Sequence, residues 1–219
     1  MAMCQSLREN SKCLKRYIQQ MAQTLHLLSD LNIVHCDLKP DNILLTKSSE
    51  FDHEKLQIKL IDFGSAFSPS EPGSFGMATP EYMPPEVLSY LSCNPASRGS
   101  IDSFLRQGKA WSIDVWSLGA ILLEIITGIP LWLSLKCKTN IKSKKGLQIG
   151  LFAVKGRDYE KIKLRQKSVL ENLESVIGEY ISQWENANEL FNLLDGMLQW
   201  DPKMRISPTE ILSHNYLKL

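Results

Sequence analysis

The chain has 219 residues, of which 43% are hydrophobic and 22% are charged, a composition that excludes wholesale disorder and collagen-like repeats. Its 25 basic and 24 acidic residues give a net charge of +1, so no overall field attracts it to nucleic acid or to membranes. Five cysteines without a C-x-x-C pair argue against a zinc site or a disulfide framework. We therefore expect an intracellular protein, cytoplasmic or nuclear, without a signal peptide.

The near-zero net charge hides an uneven distribution along the chain. Residues 136–167 hold nine Lys and two Arg against Asp158 and Glu160, a local charge of +9. The remainder of the chain must then sum to −8. This basic segment is either a solvated insertion or a docking surface for acidic partners, and the sequence leaves both open.

In the first part of the chain, apolar residues at helical spacing predict one amphipathic helix over residues 12–31. Two short apolar runs, residues 43–45 and 56–61, predict a small two-stranded ribbon beside a polar turn at residues 37–42. Residues 64–86 are rich in Ser, Pro and Gly and have no apolar period. Loops of that length in compact domains tend to be functional.

The second part of the chain is mainly helical. Pro84 and Pro85 can open a short helix that runs to Leu91. Residues 113–126 are apolar on almost every face, which indicates a buried helix too short to cross a bilayer. Further helices are predicted at residues 158–184, at residues 187–199, and after a capping box that spans residues 207–210. The fold class predicted is therefore mainly α, with very little strand.

Three clusters of polar residues carry the chemistry. They are H-C-D-L-K-P-D-N at residues 35–42, D-F-G at residues 62–64, and T-P-E-Y-M-P-P-E at residues 79–86. D-V-W-S-L-G at residues 114–119 and D-P-K-M-R at residues 201–205 follow in order. Any one of these residues alone is more simply read as a turn or a cap. The five motifs in this order resemble the protein kinase family.

The resemblance implies a partial kinase domain over residues 1–219, namely the family's large C-terminal lobe with a small β ribbon at the catalytic loop. Its catalytic loop would be residues 35–42 and its activation segment residues 62–86. Insertions are expected at about residues 92–110 and 134–170. The family's small N-terminal β lobe, with its glycine-rich loop and strand lysine, has no counterpart upstream, because the resemblance begins only at residue 12.

The resemblance also implies a site for ATP and Mg²⁺. Asp37 would accept the proton of the attacking hydroxyl, and Lys39 would place a positive charge on the transferred phosphoryl group. Asn42 and Asp62 supply the hard oxygen ligands that Mg²⁺ prefers. Leu44 would pack under the adenine ring. By the same resemblance Lys39 points to the Ser/Thr class of kinase, with protein substrates. Thr79, in the segment similar to the family's substrate-docking loop, supports that reading.

Two roles outside this set are implied as structural. Asp114 would accept hydrogen bonds from the backbone of the catalytic loop, and Arg205 would form a buried pair with Glu86. The five cysteines are most simply small buried hydrophobes, but Cys36, which lies beside Asp37, is a candidate for reaction with electrophiles.

Cys36 is also a departure from the family, because it replaces the arginine that normally precedes the catalytic aspartate. That arginine pairs with a phosphate on the activation loop, and cysteine cannot make such bidentate contacts. We therefore predict that phosphorylation of Ser68, Ser70 and Ser74 is not the main activating event.

Two functions of different kinds remain open. The chain is either the large lobe of a working protein Ser/Thr kinase or a non-catalytic module that binds partners through a kinase-like lobe. The retained residues of the catalytic loop and the D-F-G favour the enzyme. The missing small lobe favours the non-catalytic module.

Overall fold

The computed structural model describes residues 7–8, 10–46, 56–71, 78–92, 109–132 and 159–218. The described part is mostly helical. Its helices are α1 (Ser11–Asp30), α2 (Pro85–Ser92), α3 (Ser112–Thr127), α4 (Tyr159–Leu170), α5 (Leu173–Ile181), α6 (Ala187–Met197), α7 (Pro208–Ser213) and α8 (Asn215–Lys218). Its two strands are β1 (Ile43–Thr46) and β2 (Gln57–Leu60). None of these helices is both long enough and apolar enough to cross a membrane.

The sequence predictions for most of these elements are confirmed. Helix α1 begins where the side chain of Asn10 accepts a hydrogen bond from the N–H of Cys13, and it buries one apolar face. The capping box is present at the start of α7, where Ser207 and Glu210 bond to each other's backbone. The region expected to be helical over residues 158–184 is divided into α4 and α5. The two expected insertions lie largely outside the described residues.

Helix α3 is the centre of the core. All of its residues except Glu124 are buried, and it packs against α1, α5 and α6. At Gly119 a Cβ atom would lie 2.9 Å from Cδ2 of Leu198, so glycine is what lets α3 approach the end of α6 this closely. Gly128 ends α3 with a positive φ of 77°.

A buried ion pair connects α2, which contains Glu86, to the segment that follows α6, which contains Arg205. The guanidinium of Arg205 donates to both carboxylate oxygens of Glu86, at 2.7 and 3.1 Å. It also donates to the carbonyls of Ser112 and Gln199 and lies 5.0 Å from the ring centre of Trp116. The pairing that the resemblance implied for Arg205 and Glu86 is confirmed.

The two strands form one antiparallel ribbon in the described part of the chain, with Ile43 opposite Leu60 and Thr46 opposite Gln57. The side chain of Gln20 on α1 bonds to the outer edge of β2, donating to the carbonyl of Leu56 and accepting from the N–H of Ile58. The ribbon is therefore fixed to α1, and it brings residues 61–64 alongside the loop at residues 35–42.

Candidate active site

Asp114, in the first turn of α3, holds the start of the catalytic loop. Its carboxylate accepts the N–H of His35 at 2.7 Å and the N–H of Cys36 at 2.9 Å, as expected. Burial raises the pKa of Asp114 to about 6, although both hydrogen bonds favour the ionised form. Cys36 has a φ of +66°, a region that residues other than glycine seldom occupy. The two bonds to Asp114 therefore hold a backbone conformation that is unfavourable on its own.

His35 connects the catalytic loop to the D-F-G segment. Its Nδ1 accepts the N–H of Asp37 at 3.3 Å, so the ring proton must lie on Nε2, which donates to the carbonyl of Ile61 at 3.1 Å. The ring also meets the ring of Phe63 edge-to-face, with centroids 4.9 Å apart. The imidazole is fully buried and fixes the distance between the two segments.

The carboxylate of Asp37 is the centre of the site. Its Oδ1 accepts hydrogen bonds from the N–H and the hydroxyl of Thr79, at 2.8 and 2.7 Å. Its Oδ2 accepts from the ammonium of Lys39 at 2.7 Å and from the amide of Asn42 at 3.1 Å. Lys39 also donates to the hydroxyl of Thr79 at 3.0 Å. One carboxylate, one cation and one hydroxyl thus form a closed network.

This network sets the ionisation of Asp37. Burial by itself would raise the pKa of the Asp37 carboxyl, but the hydrogen bonds from Lys39 and Thr79 outweigh it and lower the pKa below its usual value. Asp37 is therefore ionised at neutral pH, although only 6% of the residue is exposed.

Asn42 and Asp62 lie on adjoining segments. Asn42 is buried, and its Nδ2 donates to the backbone carbonyl and to Oδ2 of Asp37. The backbone carbonyl of Asn42 accepts the N–H of Ile61. The side-chain oxygen of Asn42 takes no part in these bonds. Asp62 is exposed, has a φ of +63°, and accepts the N–H of Gly64 at 3.3 Å. The carboxylate of Asp62 is therefore open to a ligand.

The donor set fits a metal that is held only partly by protein. The described residues contain no group of three or more His, Cys, Asp or Glu side chains that could hold a metal ion by themselves. Mg²⁺ is usually bound by one or two carboxylates, water and the substrate's own phosphates. The Asp62 carboxylate and the Asn42 side-chain oxygen match that pattern.

Leu44 lies apart from these polar residues, on β1 opposite Lys59. The residue is 49% exposed, so it adds an apolar surface to the ribbon.

Of the five site residues predicted from sequence, the structure joins Asp37, Lys39 and Asn42 by direct hydrogen bonds. Asp62 is brought close to Asn42 by the backbone hydrogen bond from the N–H of the neighbouring Ile61 to the carbonyl of Asn42. The predicted site residues did not include His35 and Thr79. Both belong to the motifs, but their contacts with Asp37 appear only in three dimensions.

The suggestion that Cys36 can react with electrophiles is wrong. The residue is 5% exposed and packs in a core cluster with Val34, Phe67 and Met83. Burial, with added repulsion from Asp114 and Asp37, raises the pKa of the thiol far above its ordinary value. The alternative reading, a small buried hydrophobe, describes Cys36 correctly.

Comparison with known proteins agrees with this geometry. The family model described as "Protein kinase domain" matches residues 4–217 of the chain. Similar curated proteins include Serine/threonine-protein kinase AFC2 of Arabidopsis thaliana, which is 26% identical over 90% of this chain and 51% of its own length. The Probable dual specificity protein kinase YAK1 homolog of Encephalitozoon cuniculi is 29% identical over 94% of this chain and 49% of its own length.

A third relative, Serine/threonine-protein kinase max-2 of Caenorhabditis elegans, is 30% identical over 92% of this chain but only 24% of its own length. The chain thus spans about half, or less, of the length of these three relatives.

Proposed function

Because this chain belongs to the protein kinase family, we propose that it forms the large lobe of an ATP-dependent enzyme that phosphorylates Ser and Thr residues of proteins. The observation that carries the proposal is the network in which Asp37 is bonded by Lys39, Thr79 and Asn42. Such an arrangement suits a carboxylate that orients a hydroxyl and a cation that faces a phosphate.

Asp37 acts on the substrate hydroxyl in this proposal. Its lowered pKa keeps it ionised, so it can accept a hydrogen bond from the hydroxyl and take its proton as the phosphoryl group passes from ATP to that oxygen and ADP leaves. The hydroxyl of Thr79 occupies Oδ1 in the structure described, so a substrate hydroxyl would share or displace that contact.

Lys39 has a second role beside Asp37. Its ammonium lies between Oδ2 of Asp37 and the hydroxyl of Thr79, and its side chain is 23% exposed. A cation that is held in place but still open to the cleft can stabilise the charge on a transferred phosphoryl group.

Asn42 and Asp62 would hold Mg²⁺ through their side-chain oxygens, and Leu44 would supply an apolar surface for the adenine ring. When bound, Mg²⁺·ATP supplies the phosphoryl group and the metal neutralises charge on the phosphates. The chain's own contribution is position, because His35 and the bond between Ile61 and Asn42 fix the two ligand segments relative to Asp37.

The Ser/Thr class rests on Lys39 and Thr79, which contact each other, and on the resemblance of that pair to the Ser/Thr kinases. The names of similar proteins point the same way, since they include both Ser/Thr and dual-specificity kinases.

We also propose that the basic segment, residues 136–167, docks an acidic partner or substrate. In its described part, α4 carries Lys161, Arg165 and Lys167 close to an exposed Leu164. Reversal of these three charges should weaken phosphorylation of acidic proteins but not of neutral peptides. Equal phosphorylation of both substrate types by the reversed variant would argue against docking.

An intracellular location, cytoplasmic or nuclear, is proposed as well. Cys36 is a free and buried thiol, which suits a reducing compartment. Imaging of the tagged protein in cells tests the proposal, and a secreted product would contradict it.

The experiment for the proposed function is a transfer assay. The complete protein that contains this chain is incubated with Mg²⁺, labelled ATP, and either casein or myelin basic protein, and labelled amino acids are identified after hydrolysis. We expect phosphoserine and phosphothreonine, and loss of both when the metal is removed with EDTA. If neither the added substrates nor the protein itself becomes labelled, the result would favour the non-catalytic module.

A further inference from the structure

The segment that carries Thr79 is held by side chains from three separate parts of the chain. Three successive carbonyls, those of residues 81, 82 and 83, each accept a hydrogen bond from a side chain. Trp132 donates to Glu81 at 2.8 Å, Ser117 donates to Tyr82 at 2.8 Å, and Gln166 donates to Met83 at 2.9 Å. We refer to residues 79–83 as the Thr79 segment.

The three side-chain donors differ in whether all of their polar atoms are hydrogen-bonded. The indole N–H of Trp132 has a single hydrogen, and that hydrogen is used. The hydroxyl of Ser117 shares its proton between Tyr82 and the carbonyl of Ile113 in its own helix. Gln166 is different, because the bond to Met83 uses one end of its amide and leaves the other end, Oε1, buried without a hydrogen-bond partner.

The orientation of the Gln166 amide is fixed by its neighbour. If the amide were turned over, its oxygen would face the carbonyl oxygen of Met83, and two acceptors would meet. The N–H must therefore point to Met83. A buried carbonyl without a partner costs at least as much as one neutral hydrogen bond contributes, so this glutamine adds little or nothing to stability.

Helix α4 places Gln166 against the carbonyl of Met83. The helix buries Tyr159, Ile162 and Gln166, which lie on one face, and it packs against α2 and the turn at residues 80–82. The same helix reaches α2 through Lys163, which donates to the hydroxyl of Ser89 at 3.1 Å. Gln166 thus provides a polar contact that joins α4 directly to the Thr79 segment.

We propose that Gln166 is a positioning residue, whose hydrogen bond to the carbonyl of Met83 sets the Thr79 segment for protein substrates. The proposal rests on the proposed kinase function. Gln166 touches neither Asp37 nor a nucleotide site. It acts through the segment whose other end, Thr79, bonds to Asp37 and Lys39.

The test compares Gln166→Met with Gln183→Met in the complete protein. Methionine keeps the length of glutamine but removes the donor and the unpaired oxygen together. Gln183 is exposed and lies beyond the end of α5, so it is the matched control. We expect the unfolding midpoint of both variants to match that of the wild type.

The first readout is hydrogen–deuterium exchange of the peptide covering residues 79–84. In Gln166→Met we expect this peptide to exchange about tenfold faster, as loss of one neutral hydrogen bond implies, while α1 and α3 keep their rates. Unchanged exchange at residues 79–84, or faster exchange throughout the chain, would overturn the proposal. This readout needs no catalytic activity.

The second readout separates substrate binding from nucleotide binding. In Gln166→Met we expect the KM for casein to rise about tenfold and the KM for ATP to stay the same, because only the Thr79 segment has moved. A parallel rise in both constants would overturn the proposal. If the wild type transfers no phosphate at all, the proposed function fails, and the exchange readout still decides whether Gln166 positions the Thr79 segment.

Discussion

At the scale of single residues, the site depends on one carboxylate that is buried yet ionised. Asp37 keeps its charge because Lys39, Asn42 and two donors of Thr79 replace the water it has lost. The same four bonds also hold the carboxylate in one orientation, which is what a group that accepts a proton from a substrate requires.

The cysteine at position 36 removes a phosphate contact from the loop but keeps the backbone shape of the loop. The thiol lies in a core cluster instead of reaching toward a phosphate. The backbone shape of the loop is nevertheless kept, because Asp114 bonds to the N–H groups and does not depend on the side chain at position 36. The loop can therefore hold Asp37 without a phosphate-binding arginine.

A first prediction follows for three of the serines that come after the D-F-G. Replacement of Ser68, Ser70 and Ser74 by alanine should leave kcat within about twofold of the wild type, because Cys36 offers no bidentate contact to a phosphate. Steady-state kinetics on the complete protein measures this. A collapse of activity in the triple variant would show that one of these serines is the activating site.

At the scale of secondary structure, the elements that the sequence predicted best are those with local signals. Helix α1 follows from its apolar period, and the start of α7 follows from its capping box. The division between α4 and α5 near Asn172 was not predicted, because no glycine or proline marks it. Asn172 lies at the break, where its side chain donates to the carbonyl of Ser168 at 2.9 Å.

The long-range contacts of the site could not be read from sequence patterns. Thr79 and Asp37 are 42 residues apart, and Gln166 and Met83 are 83 apart. Spacing along a chain carries no information about such pairs until the intervening elements fold. The contacts of Asp114 and Arg205 were predicted only because the motif order resembles a known family.

The ion pair between Arg205 and Glu86 gives a second prediction. Arg205→Met should reduce the free energy of unfolding by about 3–5 kcal/mol, because it leaves the Glu86 carboxylate uncompensated in a largely buried place. The carbonyls of Ser112 and Gln199 also lose a donor. Urea unfolding of the two proteins gives the difference.

The control is Arg165→Met on α4, where the arginine is only half-buried. This change should alter the unfolding free energy by no more than about 0.5 kcal/mol. If Arg205→Met lowers the free energy of unfolding by less than about 1 kcal/mol, the ion pair does not hold α2 to the segment that contains Arg205.

At the scale of the whole molecule, α3 is the common support. It carries Asp114, which holds the catalytic loop, and Ser117, which holds the Thr79 segment. Helix α4 also supports this segment, through the hydrogen bond from Gln166 to the carbonyl of Met83. The catalytic loop and the Thr79 segment are therefore fixed to one buried helix, and Asp37 and Thr79 meet where the two segments come together.

The central claim is that Asp37 takes part in phosphoryl transfer. We predict that Asp37→Asn in the complete protein lowers kcat for casein by about 10²–10⁴-fold, because asparagine cannot accept the proton of the substrate hydroxyl. The control, Asp30→Asn, removes an exposed carboxylate at the end of α1 and should leave kcat unchanged. If Asp37→Asn is as active as the wild type, Asp37 serves only to hold the loop and the central claim is wrong. If the wild type itself transfers no phosphate, the chain is a non-catalytic module.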